Sequence, residues 1–186
     1  MKTPEPRTTT RTDLLDAAYR VLLRDGPGSL TLDAVVRETG RSKGGVLYHF
    51  PTKDALIAGM VGLVLDRFDA DIEQAWAAAG DDRPGGWLRA YVAASVKPDP
   101  DAPAVGAGLL AVVAANPGLL DLVREHTARW QARIEADGVD PVAATIVRLA
   151  VDSLSMEELF GITVLTPERR AGVLAAVVTL TRKDPE

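Results

Sequence analysis

The feature that most restricts this chain is a stripe of large side chains at helical spacing. It runs without a breaker through Leu56, Met60, Leu63, Val64, Arg67, Phe68, Ile72 and Trp76. Residues three and four apart share one helix face, so the spacing predicts a single helix over about 53–78. A helix of that length outruns one small core and must enter a second. Elsewhere the same period recurs, with Val, Ile and Leu separated by Ala and no alternating, strand-like run. Gly and Pro punctuate it at Gly26-Pro27-Gly28, Gly40, Gly80 to Gly86, Pro117-Gly118, Gly138 to Pro141 and Thr166-Pro167. The breaks leave about nine helical segments, so the expected class is all-α. The expected organisation is an arm over 1–10, an N-terminal unit over 11–60 and a larger unit over 61–186.

Composition narrows the function classes. With 47% hydrophobic and 25% charged residues, a folded globular chain is expected. The 186 residues hold no cysteine, which excludes disulfides, thiolate metal sites and a cysteine nucleophile. His49 and His126 are the two histidines, and neither sits in a His-Glu-x-x-His spacing or beside a local nucleophile. An enzyme, a metal site and a cofactor are therefore not expected. The longest nearly apolar stretch, 102–115, is too short to span a bilayer. No apolar segment follows the N-terminal MKTPEPRTTTR, so a cytoplasmic location without membrane association is expected. Net charge is −5, yet residues 1–60 carry nine Lys and Arg against seven Asp and Glu. An anionic partner is thus admitted at one end only.

That end carries the most specific pattern. Thr10, with Asp13 three residues on, opens a first helix that Gly26 closes. Thr31 caps a short second helix ended by Gly40, and Ser42 caps a short third helix stopped by Pro51. Thr52 opens the long helix. Two short helices joined by a Gly-containing turn are the mark of a helix-turn-helix. The residues read Leu14-Leu15-Asp16-Ala17-Ala18, then Gly26, Leu30-Thr31 and Val35-Val36, then Thr39-Gly40-Arg41-Ser42-Lys43-Gly44-Gly45-Val46-Leu47-Tyr48-His49-Phe50-Pro51-Thr52-Lys53-Asp54-Ala55-Leu56. Over about 11–60, without a gap, this series resembles the TetR family of bacterial transcription regulators. Beyond it the likeness is one of length and helical style.

The resemblance implies that Thr31, Ser42, Lys43, Gly44, Gly45, Tyr48, His49 and Lys53 face double-stranded DNA, and Arg41 beside them can add a phosphate or base contact. Ser42 is a cap on any reading, and Arg41 and Lys43 would otherwise be solvated charges. His49 stands between DNA contact and packing. Phe50 and Leu47 read as core. Three positions depart from the family pattern: Leu47 replaces a tyrosine, Arg41 a turn valine and Val36 an alanine. Lys2, Arg7 and Arg11 give the arm a basic character compatible either with minor-groove contact or with a plain tail.

The family uses the C-terminal part to sense a small-molecule effector and to dimerise. Leu119, Val123, His126, Trp130 and Ile134 fall on one stripe of the seventh segment, with Trp87 and Tyr91 inward on the fifth. Trp87, Tyr91, Val113, His126 and Trp130 are the expected ligand contacts, and a satisfied core histidine is the other reading of His126. Arg148 and Asp152 are four apart and read as a surface ion pair. The segment over 141–161 has two apolar faces: Val142, Ile146, Leu149, Met156 and Phe160, and Val147, Val151 and Leu154. One faces the chain's own core and the other a second subunit. Val147, Val151 and Leu154, with Val173, Val177 and Leu180, are assigned to a homodimer interface, the alternative being a monomer that buries both faces. The expected function is a dimeric repressor released from its operator by an effector. The alternative is a helical module that binds small molecules or proteins and no longer reads DNA.

Overall fold

The computed structural model describes residues 10–97, 113 and 117–182. Among these the chain forms α1 (Arg11–Asp25), a 3-10 turn (Pro27–Ser29), α2 (Leu32–Thr39), α3 (Lys43–His49), α4 (Lys53–Ala79), α5 (Gly86–Ser95), α6 (Pro117–Glu135), α7 (Pro141–Phe160) and α8 (Pro167–Leu180). The all-α expectation is met, and the long helix extends one residue past its predicted end. The arm over 1–9 and the segment expected over 102–115, Val113 excepted, lie outside the described residues.

Hydroxyl and carboxylate caps set the helix starts. Thr10 and Asp13 close a reciprocal capping box, with N···O distances of 3.1 and 2.9 Å. Thr31 Oγ1 accepts from the Ala34 N–H at 3.1 Å, Ser42 Oγ from Gly45 at 3.2 Å and Thr52 Oγ1 from Ala55 at 3.0 Å. Asp140, a cap the sequence reading passed over, accepts from the Ala143 N–H at 2.8 Å. Gly40 turns the chain between α2 and α3 in the left-handed region at φ 65°, where a side chain would be strained.

Two cores result, and α4 belongs to both. The first gathers Leu14, Leu15, Val21 and Leu22 of α1, Val35 of α2, Val46 of α3, Phe50, and Leu56, Ile57, Met60 and Val61 of α4. Leu119, at the start of α6, joins it. The second gathers Ile72 of α4, Trp87, Leu88 and Tyr91 of α5, Ile134 of α6, Val147 and Val151 of α7, and Val177 of α8. Thus α6 also spans from one core to the other.

Polar contacts pin the first unit to α4. Tyr19 donates its buried hydroxyl to the Met60 carbonyl at 2.8 Å, and burial pushes that phenol up to about 12. Arg20 and Arg24 hold Glu38 at 2.9 and 2.8 Å, tying α1 to α2. Helix α1 packs tightly against α4 at Gly59. A Cβ there would stand 2.8 Å from Cε1 of Phe50, 3.0 Å from the Arg11 guanidinium and 3.1 Å from Leu15. Gly59→Val is therefore predicted to destabilise the chain by about 1–3 kcal/mol through overpacking. Chemical denaturation followed by circular dichroism measures it; unchanged stability would show that the α1–α4 contact is loose.

Candidate functional site

The third helix is short and holds on by little. Val46 is fully buried and Phe50, its cap residue, is 1% exposed. Lys43, Gly44, Gly45, Leu47 and Tyr48 are exposed, and His49 is half-buried. Tyr48 is 85% exposed, which for a large aromatic ring leaves nearly all its apolar area in water. Its ring meets His49 edge-on, with centroids 5.1 Å apart. Lys43 reaches back to Asp33 of α2 at 3.0 Å, both side chains remaining largely exposed. Arg41 is half-buried, while Lys53 is exposed in the first turn of α4. A Cβ added at Gly44 would meet nothing within 4 Å, so that face is open to close approach. The hydroxyls of Thr31 and Ser42 accept backbone N–H bonds as caps. Each keeps its own proton to donate, which a phosphate oxygen can accept.

The face therefore presents Thr31, Arg41, Ser42, Lys43, Gly44, Gly45, Tyr48, His49 and Lys53 around one turn-and-helix unit, with Asp33 as an acidic member. Leu47 departs from its expected place in the core. It is 36% exposed, because it follows Val46 by one residue, a rotation that carries it off the buried face of so short a helix.

The second region is an aromatic cluster between α4, α5 and α6. Phe68 stands edge-on to Tyr91 at 5.4 Å and to Trp130 at 5.1 Å between centroids, and Tyr91 and Trp130 meet each other at 6.2 Å. Trp87 lies 6.0 Å from Tyr91, and His126 lies 6.0 Å from Trp130. Trp87, Tyr91, His126 and Trp130 are thus brought together as expected. Val113 is not among them. It is buried with the first core, beside Leu119, rather than lining the aromatic cluster.

The hydroxyl and indole tips of the cluster each have a partner. The Tyr91 hydroxyl donates to Asp152 at 2.7 Å, the Trp87 indole to Glu73 at 3.1 Å, and the Trp130 indole to Asp69. Arg148 bridges Asp152 at 2.8 Å and Gln131 at 2.6 Å. The Arg148–Asp152 pair forms as the spacing predicts, but not at the surface: the Arg148 side chain is 14% exposed, because α7 turns this pair toward Gln131 and Tyr91. The sequence reading missed that the second Asp152 oxygen serves Tyr91, and it took Phe68 only as part of a stripe. A buried tyrosine requires a partner for its hydroxyl, but which carboxylate supplies it depends on how α5 meets α7. Burial, and then the neighbouring Asp152, push the Tyr91 phenol up. Burial also raises the Asp152 carboxyl above its ordinary value, with Tyr91 and Arg148 opposing.

The α7 faces are reversed from the expectation. Val147 and Val151 are fully buried and Leu154 nearly so, all within the chain's own fold. Val177 is buried in the same core, Val173 is half-buried against it, and Leu180 is 43% exposed. The outward face is Val142, Ile146, Leu149, Met156 and Phe160, between 42% and 68% exposed. The core claims the first face because Val147 and Val151 are one turn apart and meet α5 there.

A helix-turn-helix with an open recognition helix, mounted on a helical body, defines a DNA-binding transcriptional regulator. Residues 14–60 match the model of the bacterial regulatory proteins of the tetR family, and residues 85–182 match the tetracyclin repressor-like C-terminal domain. The chain belongs to the TetR family, and its members are transcription factors rather than enzymes. No curated protein matches the chain in sequence.

Solved structures share the fold. A transcriptional regulator from Rhodococcus sp. Rha1 is 23% identical, with 93% of this chain and 96% of that one covered at a TM-score of 0.72. A TetR transcription regulator from Haloarcula marismortui is 19% identical, covering 92% and 95% at 0.74. The multidrug binding protein EbrR, complexed with ethidium, is 22% identical, covering 92% and 98% at 0.68.

The Asp152 shift has a consequence for stability. A carboxyl raised on folding favours the folded state most when protonated, and that contribution is lost as pH rises through the folded value. Asp152→Asn removes this ionisation and keeps an acceptor for Tyr91. Thermal melts of both proteins should show the variant gaining on the parent as pH rises above the ordinary 3.8 of the carboxyl. Parallel pH profiles would refute the burial argument.

Proposed function

We propose that the protein is a homodimeric repressor that holds a near-palindromic operator and leaves it when a small aromatic effector enters the body. The observation that carries the DNA-reading part is the third helix, which is fastened through Val46 and Phe50 and leaves Lys43, Gly44 and Tyr48 at solvent. Two such helices from two copies would enter successive major grooves. Lys53, Thr31 and Arg41 would fix the register through phosphates. The functional division between head and body falls in α4, near residue 60.

The second copy is supported by the spacing of the exposed face of α7. Val142, Ile146, Leu149, Ser153, Met156 and Phe160 follow one another at intervals of four, three, four, three and four. That is the seam of helices packed side by side at a shallow angle. Five large apolar residues on such a seam are costly in water and stable against a copy of themselves. Ile162, Val164 and Leu180 are also exposed.

Effector release follows from α4 and α6, which each enter both cores. A ligand among Phe68, Trp87, Tyr91, His126 and Trp130 would press on both helices. Release requires that it bind the DNA-incompetent pose more tightly than the DNA-bound one. An aromatic effector suits stacking on these rings, and the dye-bound EbrR with the same fold supports that class.

Fluorescence anisotropy on DNA from upstream of the protein's own gene, against scrambled DNA of equal length at several salt concentrations, tests the DNA reading. Preferential, salt-sensitive binding is expected. Lys53→Ala should lessen the log–log salt slope by roughly 1.8 for a dimer, at about 0.9 per phosphate. Tyr48→Ala should weaken binding with the melting curve unchanged. Absence of specific binding to any genomic fragment would leave the module that does not read DNA.

The seam is tested separately. Ile146→Asp or Leu149→Asp should sediment as a monomer with intact helicity and lose operator affinity. A variant that remains dimeric would place the interface elsewhere.

A further inference from the structure

Asp66 and Asp69 lie one turn apart on α4, and His126 faces them from α6. One donor atom from each lies within 4.8 Å of the other two. We propose that these three side chains form a binding site for one divalent transition-metal cation that links α4 to α6.

The imidazole geometry is the first argument. His126 is 5% exposed, and its Nδ1 lies 3.0 Å from the Leu122 carbonyl oxygen. A carbonyl can only accept, so Nδ1 carries a hydrogen and, in the neutral ring, Nε2 carries a lone pair. That lone pair faces the Asp66 carboxylate across 3.9 Å, too far for a hydrogen bond. A lone pair against an anion repels unless a positive charge stands between them. Metal-bound histidines are arranged in this way, with the distal N–H donated to a backbone carbonyl.

The carboxylates supply the second argument. The Trp130 indole N–H donates to Asp69, and Arg129 lies 3.4 Å from its other oxygen. Such donors orient a ligating carboxylate. Asp66 is 74% exposed and can swing inward. Metal bonds of about 2.0–2.2 Å place neighbouring donors about 3–3.6 Å apart, so the cluster must close by about an ångström. One imidazole with two carboxylates selects a first-row transition cation such as Zn²⁺, Mn²⁺ or Fe²⁺ over Mg²⁺ or Ca²⁺. The chain has no cysteine to draw a softer ion.

The position gives the site leverage. It lies on α4 between Val61, in the first core, and Ile72, in the second. A cation there would fix the spacing of the two helices that join head to body. This goes beyond the repressor reading and stands without it, because binding is measured with no DNA present.

Equilibrium dialysis of the full chain against ZnCl₂, with bound metal quantified, is the test. A Trp fluorescence titration runs beside it, since the Trp130 indole sits on Asp69. One zinc per chain is expected, with a fluorescence change absent from Trp130→Phe and no saturable response to Mg²⁺. Asp66→Asn and His126→Gln should each weaken zinc binding roughly tenfold or more. Asp66 is exposed, so its variant folds whatever becomes of His126→Gln. No stoichiometric binding, or equal affinity in Asp66→Asn, would overturn the proposal and leave His126 as a core imidazole paired with Asp66 only when protonated.

Discussion

The burial of α4 in two cores is the constraint on which the rest depends. Its 27 residues present Leu56 to Val61 to the helix-turn-helix unit and Ile72 to the body. Core side chains pack at crystal-like density, so neither end can move without repacking neighbours. Gly59 tightens this further by letting α1 and Phe50 approach the α4 backbone. Helix α6 repeats the arrangement in parallel, with Leu119 in the first core and Ile134 in the second. Head and body are therefore coupled by two helices, each of which packs into both cores.

Between those elements lies the aromatic cluster, with acidic tips at its edge. Asp69, Glu73 and Asp152 each accept a hydrogen bond from a ring N–H or O–H of the cluster. Such partnering lets Trp87, Tyr91 and Trp130 sit inside a fold without stranding a donor.

The DNA-facing unit shows the opposite economy. A seven-residue helix secured through Val46 and Phe50 spends its remaining surface on solvent-facing groups. Tyr48 in water gains nothing for folding, so its exposure fits a surface used for contact. Asp33 beside Lys43 lowers the local positive charge, in keeping with a chain whose net charge is −5.

Much of this was legible in the sequence because it is local. Caps at Thr10, Thr31, Ser42 and Thr52, the glycine stops and the 3.6-residue stripe act within a few residues, and they set the helices almost to the residue. The contiguous motif over 11–60 identified the head for the same reason. What two neighbouring faces of one helix do is not local. Sequence showed that α7 is apolar on two sides, but only its packing on α5 decided that Val147 and Val151 turn inward and Val142, Ile146 and Leu149 outward. Likewise no spacing joins Tyr91 to Asp152, Val113 to the first core, or His126 to Asp66 and Asp69. Those pairings cross from one helix to another, and only the angle at which helices meet brings such residues together.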